Sequence, residues 1–443
     1  MNENHLVDDN DLANLVIRKI IKTDEENKYK AKDEQINIKY DAIIVDEVQD
    51  LTDRQLDAII KASSNKQKIY FFGDQNQSIN PTLFDVETIR GCLMHNLSND
   101  DIVEPEEMTI SYRFGPQLSI YINNLIRIRR DLIGATGVLE IENSALDEET
   151  YRYAGYSLDK KVNDIVIKTA INNARAMIIV PDEIVKNKLI KQYSETISDH
   201  IMTIYDSKGL EWNYVVLYGM ISFFKEEYKQ ILDGQAKHST LHRMIFNQYY
   251  VGCTRSHVCF CVLEDDLDNE IIDKLLPTKA NTNGQSDFKI NADNVDIYIK
   301  EDNSSESWFL EGKQRFEQGE YGLALSRFNI AKNDVDKKMY LDICQIMLSE
   351  EKQTYSTAEL CRKEKFYREA RIIYKKLGYG DESYLMGLHC RQDLYEENRV
   401  DELIKKLTLT FEDLKLIESF GYFELKIKRM NTTFDKLIKS MEE

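Results

Sequence analysis

The chain has 443 residues, 42% of them hydrophobic, a length and composition that suit roughly two or three domains with real cores. Its formal charge of −19 argues against indiscriminate binding to nucleic acid, though it leaves room for a local basic groove. No apolar run approaches the roughly 18 residues of a membrane span, the opening MNENHLVDDND has no secretory pattern, and seven scattered cysteines make no disulfide framework. A cytoplasmic protein with no membrane partner is the expectation.

In chain order, residues 10–22 have helical apolar spacing, and a charged, turn-like stretch follows to about residue 38. Two short apolar runs, Ala42–Val45 and Ile69–Phe72, flank a helical stretch, Asp53–Ser63. Strand, helix, strand predicts a right-handed parallel crossover. Further strands are expected at Ala176–Val180, Ile201–Ile204, Tyr214–Tyr218 and Val258–Leu263, with a helix over 240–250. Runs apolar on both faces suit a parallel sheet covered by helices on each side. Residues 265–304 are polar and acidic and have the composition of a linker.

From residue 305 only helices are expected. Trp308, Gly312, Phe316, Gly319, Tyr321, Ala324, Phe328 and Ala331 have the spacing of a tetratricopeptide repeat. Small residues there would let two antiparallel helices approach, with the aromatics filling the space between them. A looser copy (Ala358, Tyr367, Ala370, Tyr374) is offset by 46 residues, so an extra helix at about 338–351 should intervene. An unrelated helical bundle is the plainer alternative.

The most specific segment is Tyr40-Asp-Ala-Ile-Ile-Val-Asp46-Glu47-Val-Gln49-Asp50. A buried strand ending in two acids sets both carboxylates at the C-terminal edge of a sheet, where open α/β folds bind ligands. Magnesium prefers hard oxygen donors, and Asp46 supplies one. Glu47 then stands where it can orient and deprotonate a water. The second strand ends in Gly73-Asp74-Gln75-Asn76-Gln77-Ser78.

These segments resemble the conserved motifs of UvrD/Rep-type superfamily 1 helicases, in that family's order. DEVQD (46–50) resembles the Walker B motif and GDQNQSI (73–79) the GDxxQSI motif. Ser111-Tyr112-Arg113 looks like the YR motif. Thr203-Ile-Tyr205-Asp-Ser207-Lys208-Gly209-Leu-Glu211-Trp212 is similar to TxHxxKGLEW, and Tyr249-Tyr250-Val251-Gly252-Cys253-Thr254-Arg255 resembles YVxxTR. The five motifs span residues 40 to 256. The DEVQDLT wording and the trailing helices look most like family members that end in tetratricopeptide-like repeats.

The resemblance implies an α/β architecture. An incomplete first RecA-like domain (1–107) would precede a second RecA-like, P-loop NTPase-type domain (108–268). An acidic linker (269–304) and an all-α tetratricopeptide-like array (305–443) would follow. It implies ATP and Mg2+ as cofactors and single-stranded or partly duplex DNA as partner, with Asp46 on the metal. Glu47, Gln77, Arg113 and Arg255 would be catalytic, Arg113 and Arg255 being forked cations suited to charge on a transferred phosphoryl group. Asp74, Tyr112, Gly209 and Glu211 would hold the nucleotide, Tyr112 by stacking on adenine and Glu211 by meeting the ribose. Thr203, Tyr205 and Phe84 would meet DNA.

Three departures qualify the match. Tyr205 replaces the family's histidine. Asn80-Pro81-Thr82 replace an aromatic and Arg-Gly, so the base-stacking residue is either missing or moved to Phe84. No GxxxxGK[ST] occurs: the one Gly-Lys pair, Gly312-Lys313, lies in the first repeat. Only 45 residues precede Asp46, and the family's P-loop lies ahead of that point. A P-loop supplies a nest of amides, a lysine and a hydroxyl for magnesium.

The expectation is a helicase or translocase fragment or subunit that is inactive alone. Its P-loop would come from a partner protein or a missing N-terminal half, and its repeats could hold a protein or peptide. The alternative is a non-enzymatic platform for DNA docking and protein interaction. Two lesser signals have plainer readings: His257, Cys259 and Cys261 alternate along a strand with no fourth metal ligand nearby, and Arg127, Arg129 and Arg130 fit a solvated helix face.

Overall fold

Helix α1 (Asp9–Asn27) leads to strand β1 (Ile43–Val45), helix α2 (Asp53–Lys61) and strand β2 (Ile69–Phe71). This is a computed structural model. It describes the chain apart from residues 1–8, 32–33, 36, 66–67, 80–88, 90, 92–105, 113–114, 135–139, 145–152, 194, 279–287, 333–336, 394–396 and 421–443. β1 and β2 pair in parallel, with Ile44 opposite Tyr70. α2 begins at a capping box: the Thr52 hydroxyl accepts from Gln55 N, and Gln55 Oε1 accepts from Thr52 N at 2.8 Å. One sheet face packs Ile43, Val45 and Phe71 with Leu56 of α2. Alternation along a strand turns Ile44 and Tyr70 to the other face, where they are 73% and 53% exposed.

Helix α3 (Pro116–Ile128) runs into a π-helical turn, Arg129–Ile133, that stops at Gly134. Then follow β3 (Tyr153–Ser157), α4 (Lys160–Ile171), β4 (Ala176–Val180), β5 (Ile201–Thr203), β6 (Trp212–Tyr218), α5 (Thr240–Cys253) and β7 (Ser256–Leu263). The five strands form one sheet in the order β3-β7-β6-β4-β5, parallel throughout. Every residue of β4 is buried, as a central strand clad on both faces requires.

Residues 269–304 correct the linker expectation. They form two short helices, Asn269–Leu275 and Val295–Tyr298, and bury Ile290, Val295, Tyr298 and Ile299 in the core beside the sheet. The backbone of Tyr156 in β3 donates to Phe288 O at 3.0 Å and accepts from Ile290 N at 2.7 Å. Abundant acids hide widely spaced apolar residues that do the packing.

The chain divides into two compact units, Met1–Asn303 and Ser304–Glu443. The second is helical: α6 (Ser305–Gln318), α7 (Tyr321–Ile330), α8 (Lys337–Met347), α9 (Tyr355–Lys363), α10 (Tyr367–Leu377), α11 (Gly380–His389), α12 (Glu397–Lys406) and α13 (Phe411–Ser419). Helix α8 occupies the place of the extra helix. Helix α6 packs on α7 and α7 on α8, and α9 packs on α10 and α10 on α11. A Cβ at Gly312 would lie 2.7 Å from the Phe328 ring, so this glycine is what lets α6 approach α7. The chain is therefore mixed α/β with parallel sheet, followed by a helix-rich region. No described helix is long and apolar enough to cross a membrane.

Candidate functional site

β1 delivers Asp46 and Glu47 to the C-terminal edge of the small sheet. Glu47 sits at φ 51°, ψ 41°, a left-handed conformation uncommon for a non-glycine residue. The turn is held by the strands themselves: Phe72 N donates to Val45 O at 2.8 Å and Val48 N to Phe72 O at 3.0 Å. Asp46 Oδ1 accepts from Glu47 N at 2.9 Å. Gln49, completely buried, ties the two strand ends together. Its Nε2 donates to the Glu47 carboxylate, and its Oε1 accepts from Asp74 N at 3.1 Å. Gly73 makes room for it: a Cβ there would lie 2.5 Å from Gln49 Oε1.

After β2, Asp74 caps a short 3-10 turn, Gln75–Gln77. Its Oδ1 accepts from Asn76 N at 2.8 Å and its Oδ2 from Gln77 Nε2 at 3.1 Å. Two cations from the later motifs reach this turn. Arg255, just past α5 and only 3% exposed, donates from Nη2 to Gln77 Oε1 at 2.9 Å. Lys208 donates to Gln77 O at 3.1 Å and pairs with Asp50. Motifs far apart in sequence thus converge on Gln77.

Next to this turn lies a cavity of about 480 Å³, within the range of small-molecule sites. Asp74, Gln77, Tyr112, Glu211, Tyr250 and His257 are among its walls. His257 Nε2 lies 2.9 Å from Glu211 Oε2. Tyr112 is 76% exposed. The cavity thus gathers Asp74, Gln77, Tyr112 and Glu211, while Asp46 and Glu47 stand at the neighbouring strand end. Gly209 takes φ +77° with open space around it.

Thr203 is buried and donates to Asp206 Oδ2 at 2.7 Å. Tyr205 is 44% exposed and accepts from Gln248 Nε2 at 2.6 Å; burial pushes its phenol pKa up. Arg113 and Phe84 lie outside the described residues, as do Asn80, Pro81 and Thr82.

Composition and spacing missed what Gln49 bonds to and the pairing of His257 with Glu211, because a motif names residues and not the partners that folding brings to them. The expectation of a solvated arginine face also needs correction. Arg127 and Arg130 pair with Glu140, but Arg129 is 1% exposed. Its Nε donates to Asn247 Oδ1 at 2.7 Å and its Nη2 to Gln75 O at 3.2 Å. Burial, then repulsion from Arg243, lowers its pKa to about 10, so it stays charged at neutral pH.

Among the described residues, no three His, Cys, Asp or Glu side chains cluster as a metal cage. Cys259 and Cys261 are buried in β7. The acids at the strand ends are hard oxygen donors, the kind magnesium takes one or two at a time with waters completing its shell.

A family profile described as an AAA domain matches residues 1–82, the segment holding β1, β2, Asp46, Glu47 and the Asp74–Ser78 turn. No curated protein matches the chain. The profile match fits a P-loop NTPase-like superfamily and a nucleotide-dependent activity.

Proposed function

We propose that this chain is a fragment or subunit of an ATP-driven, UvrD/Rep-type DNA translocase, and that its phosphate-anchoring loop comes from polypeptide outside these 443 residues. The observation that carries this reading is the contact of Arg255 with Gln77 beside a cavity walled by Asp74, Tyr112 and Glu211. Four separate motifs of one nucleotide-using family meet there.

In this reading each residue has a task. Tyr112 stacks on the base and Glu211, steadied by His257, meets the ribose. Asp46 holds Mg2+, which supplies positive charge beside the phosphates. Glu47 takes the proton from the attacking water. Gln77 orients that water, and Arg255 neutralises charge on the transferred phosphoryl group from a fixed, buried position. Tyr205, half-exposed, would meet DNA, Thr203 being buried against Asp206 beside it, and the helical unit would offer a surface for a protein or peptide.

The half-clad sheet also supports an outside contribution. A parallel sheet is ordinarily covered on both faces, yet Ile44, Tyr70 and Phe72 are 73%, 53% and 49% exposed. A strand and helix arriving with a P-loop would cover such a face.

The test mixes the purified chain with P-loop proteins encoded beside it and measures DNA-stimulated ATP hydrolysis. Turnover should exceed that of the partner alone and fall at least a hundredfold with Glu47→Gln or Arg255→Ala, in line with the roughly 10²–10⁴-fold weight of such groups. Sustained turnover by the isolated chain, abolished by Glu47→Gln, would overturn the outside P-loop. Absence of any ATP-analogue binding across all mixtures would favour a non-enzymatic docking platform.

A further inference from the structure

The turn that carries Gln77 is held from behind by residues outside every motif. Asn247 is completely buried in α5. Its Nδ2 donates to Ser78 O at 2.6 Å and to Gln75 O at 3.3 Å, the carbonyls on either side of Gln77. Its Oδ1 accepts from Arg129 Nε at 2.7 Å. Arginine only donates, so this bond fixes which way the Asn247 amide faces: oxygen toward Arg129, NH2 toward the turn. Arg129 also reaches Gln75 O through Nη2, at 3.2 Å, so one carbonyl is gripped from two elements.

The residue that makes the other half of the contact follows the same helix. Asn247 lies in the middle of α5, and Arg255 follows two residues after the helix ends at Cys253. The middle of α5 thus sets the backbone beside Gln77, and the residue just past its C-terminal end presents the cation that meets Gln77 Oε1. We infer that Asn247, oriented by Arg129, is a positioning residue that fixes Gln77 against Arg255, so that the two move as one unit with α5. The inference rests on the proposed function only for what Gln77 then does; the positioning belongs to the chain alone.

Asn247→Asp separates positioning from general packing. It keeps size and the acceptor for Arg129, but sets an acceptor against both turn carbonyls. Two measurements on the full chain, without nucleotide or partner, read the result. In residue-resolved amide exchange, Asn76–Ser78 should exchange at least tenfold faster than in the unaltered chain, while β4 and β6 stay within twofold. In NMR of arginine side chains, the Arg255 guanidinium signals should shift, although Asn247 makes no hydrogen bond to Arg255. Arg129→Lys, which keeps charge and one donor, should give a smaller change of the same kind. Unaltered exchange at the turn would overturn the inference, as would a uniform rise across the sheet or a fixed Arg255 signal. None of these readouts depends on ATP turnover, so the translocase reading can fail while this one stands, and the reverse.

Discussion

Glu264 shows how one buried group sets a pH response. It directly follows β7 at 1% exposure, and its two oxygens accept from Ile221 N at 2.8 Å and Ser222 N at 2.9 Å. Burial pushes its pKa up to about 7; bonds from Ser222 and Ile221 oppose that, and the neighbouring charge of Asp265 adds to it. The folded state therefore binds this proton more tightly than the unfolded chain does. The stabilisation is complete below the ordinary glutamate range and is lost as pH rises through about 7. Stability should fall across that window by an amount on the order of 3 kcal/mol. Glu264→Gln should flatten the slope, whatever its effect on absolute stability. Urea unfolding of both proteins between pH 4.5 and 8 checks this, and parallel pH profiles would refute the assignment.

Elements are positioned in the helical unit by where small residues are allowed. Gly312 in α6 has no spare room, its added Cβ meeting the Phe328 ring at 2.7 Å, whereas nothing lies within 4 Å of a Cβ at Gly322 in α7. Gly312→Ala should cost about 1–3 kcal/mol by overpacking, while Gly322→Ala should gain about 0.5–1 kcal/mol by stiffening the unfolded chain. Thermal melts of the two variants should move in opposite directions. Both glycines look alike in sequence, and only the repeat spacing marked Gly312 as the packing one. Such contrasts explain what was legible beforehand. β1 and β2 could be read because short apolar runs stop at acids, and β4 because five apolar residues stand together. β3, Tyr-Ala-Gly-Tyr-Ser, could not: Gly155 is there because a Cβ would strike the Tyr298 ring at 2.6 Å, a neighbour far along the chain. The motif residues were readable one by one, but their convergence on Gln77 was not. Asn247 and Arg129 left no signal, since a helical asparagine and one arginine among three look like ordinary surface.

At the scale of the molecule, the small sheet is the anomaly. Its core face is filled by α2, while Ile44 and Tyr70, directly opposite each other, look outward beside Phe72. Exposed apolar strand surface is a template for association, and the chain's charge of −19 opposes contact between copies only weakly once salt screens it. The isolated chain should therefore self-associate as concentration and ionic strength rise. Ile44→Lys with Tyr70→Lys should suppress this in sedimentation velocity. Because both side chains already face solvent, each change should alter folding stability by only about 0.5 kcal/mol. Under the proposed function, the same double variant should also remove any ATPase stimulation by a P-loop partner, since a lysine pair cannot be buried under an incoming helix without a large desolvation cost. If self-association and stimulation both survive the double change, this face is not where the proposed partner docks, and the edges of the two-strand sheet become the surface to test.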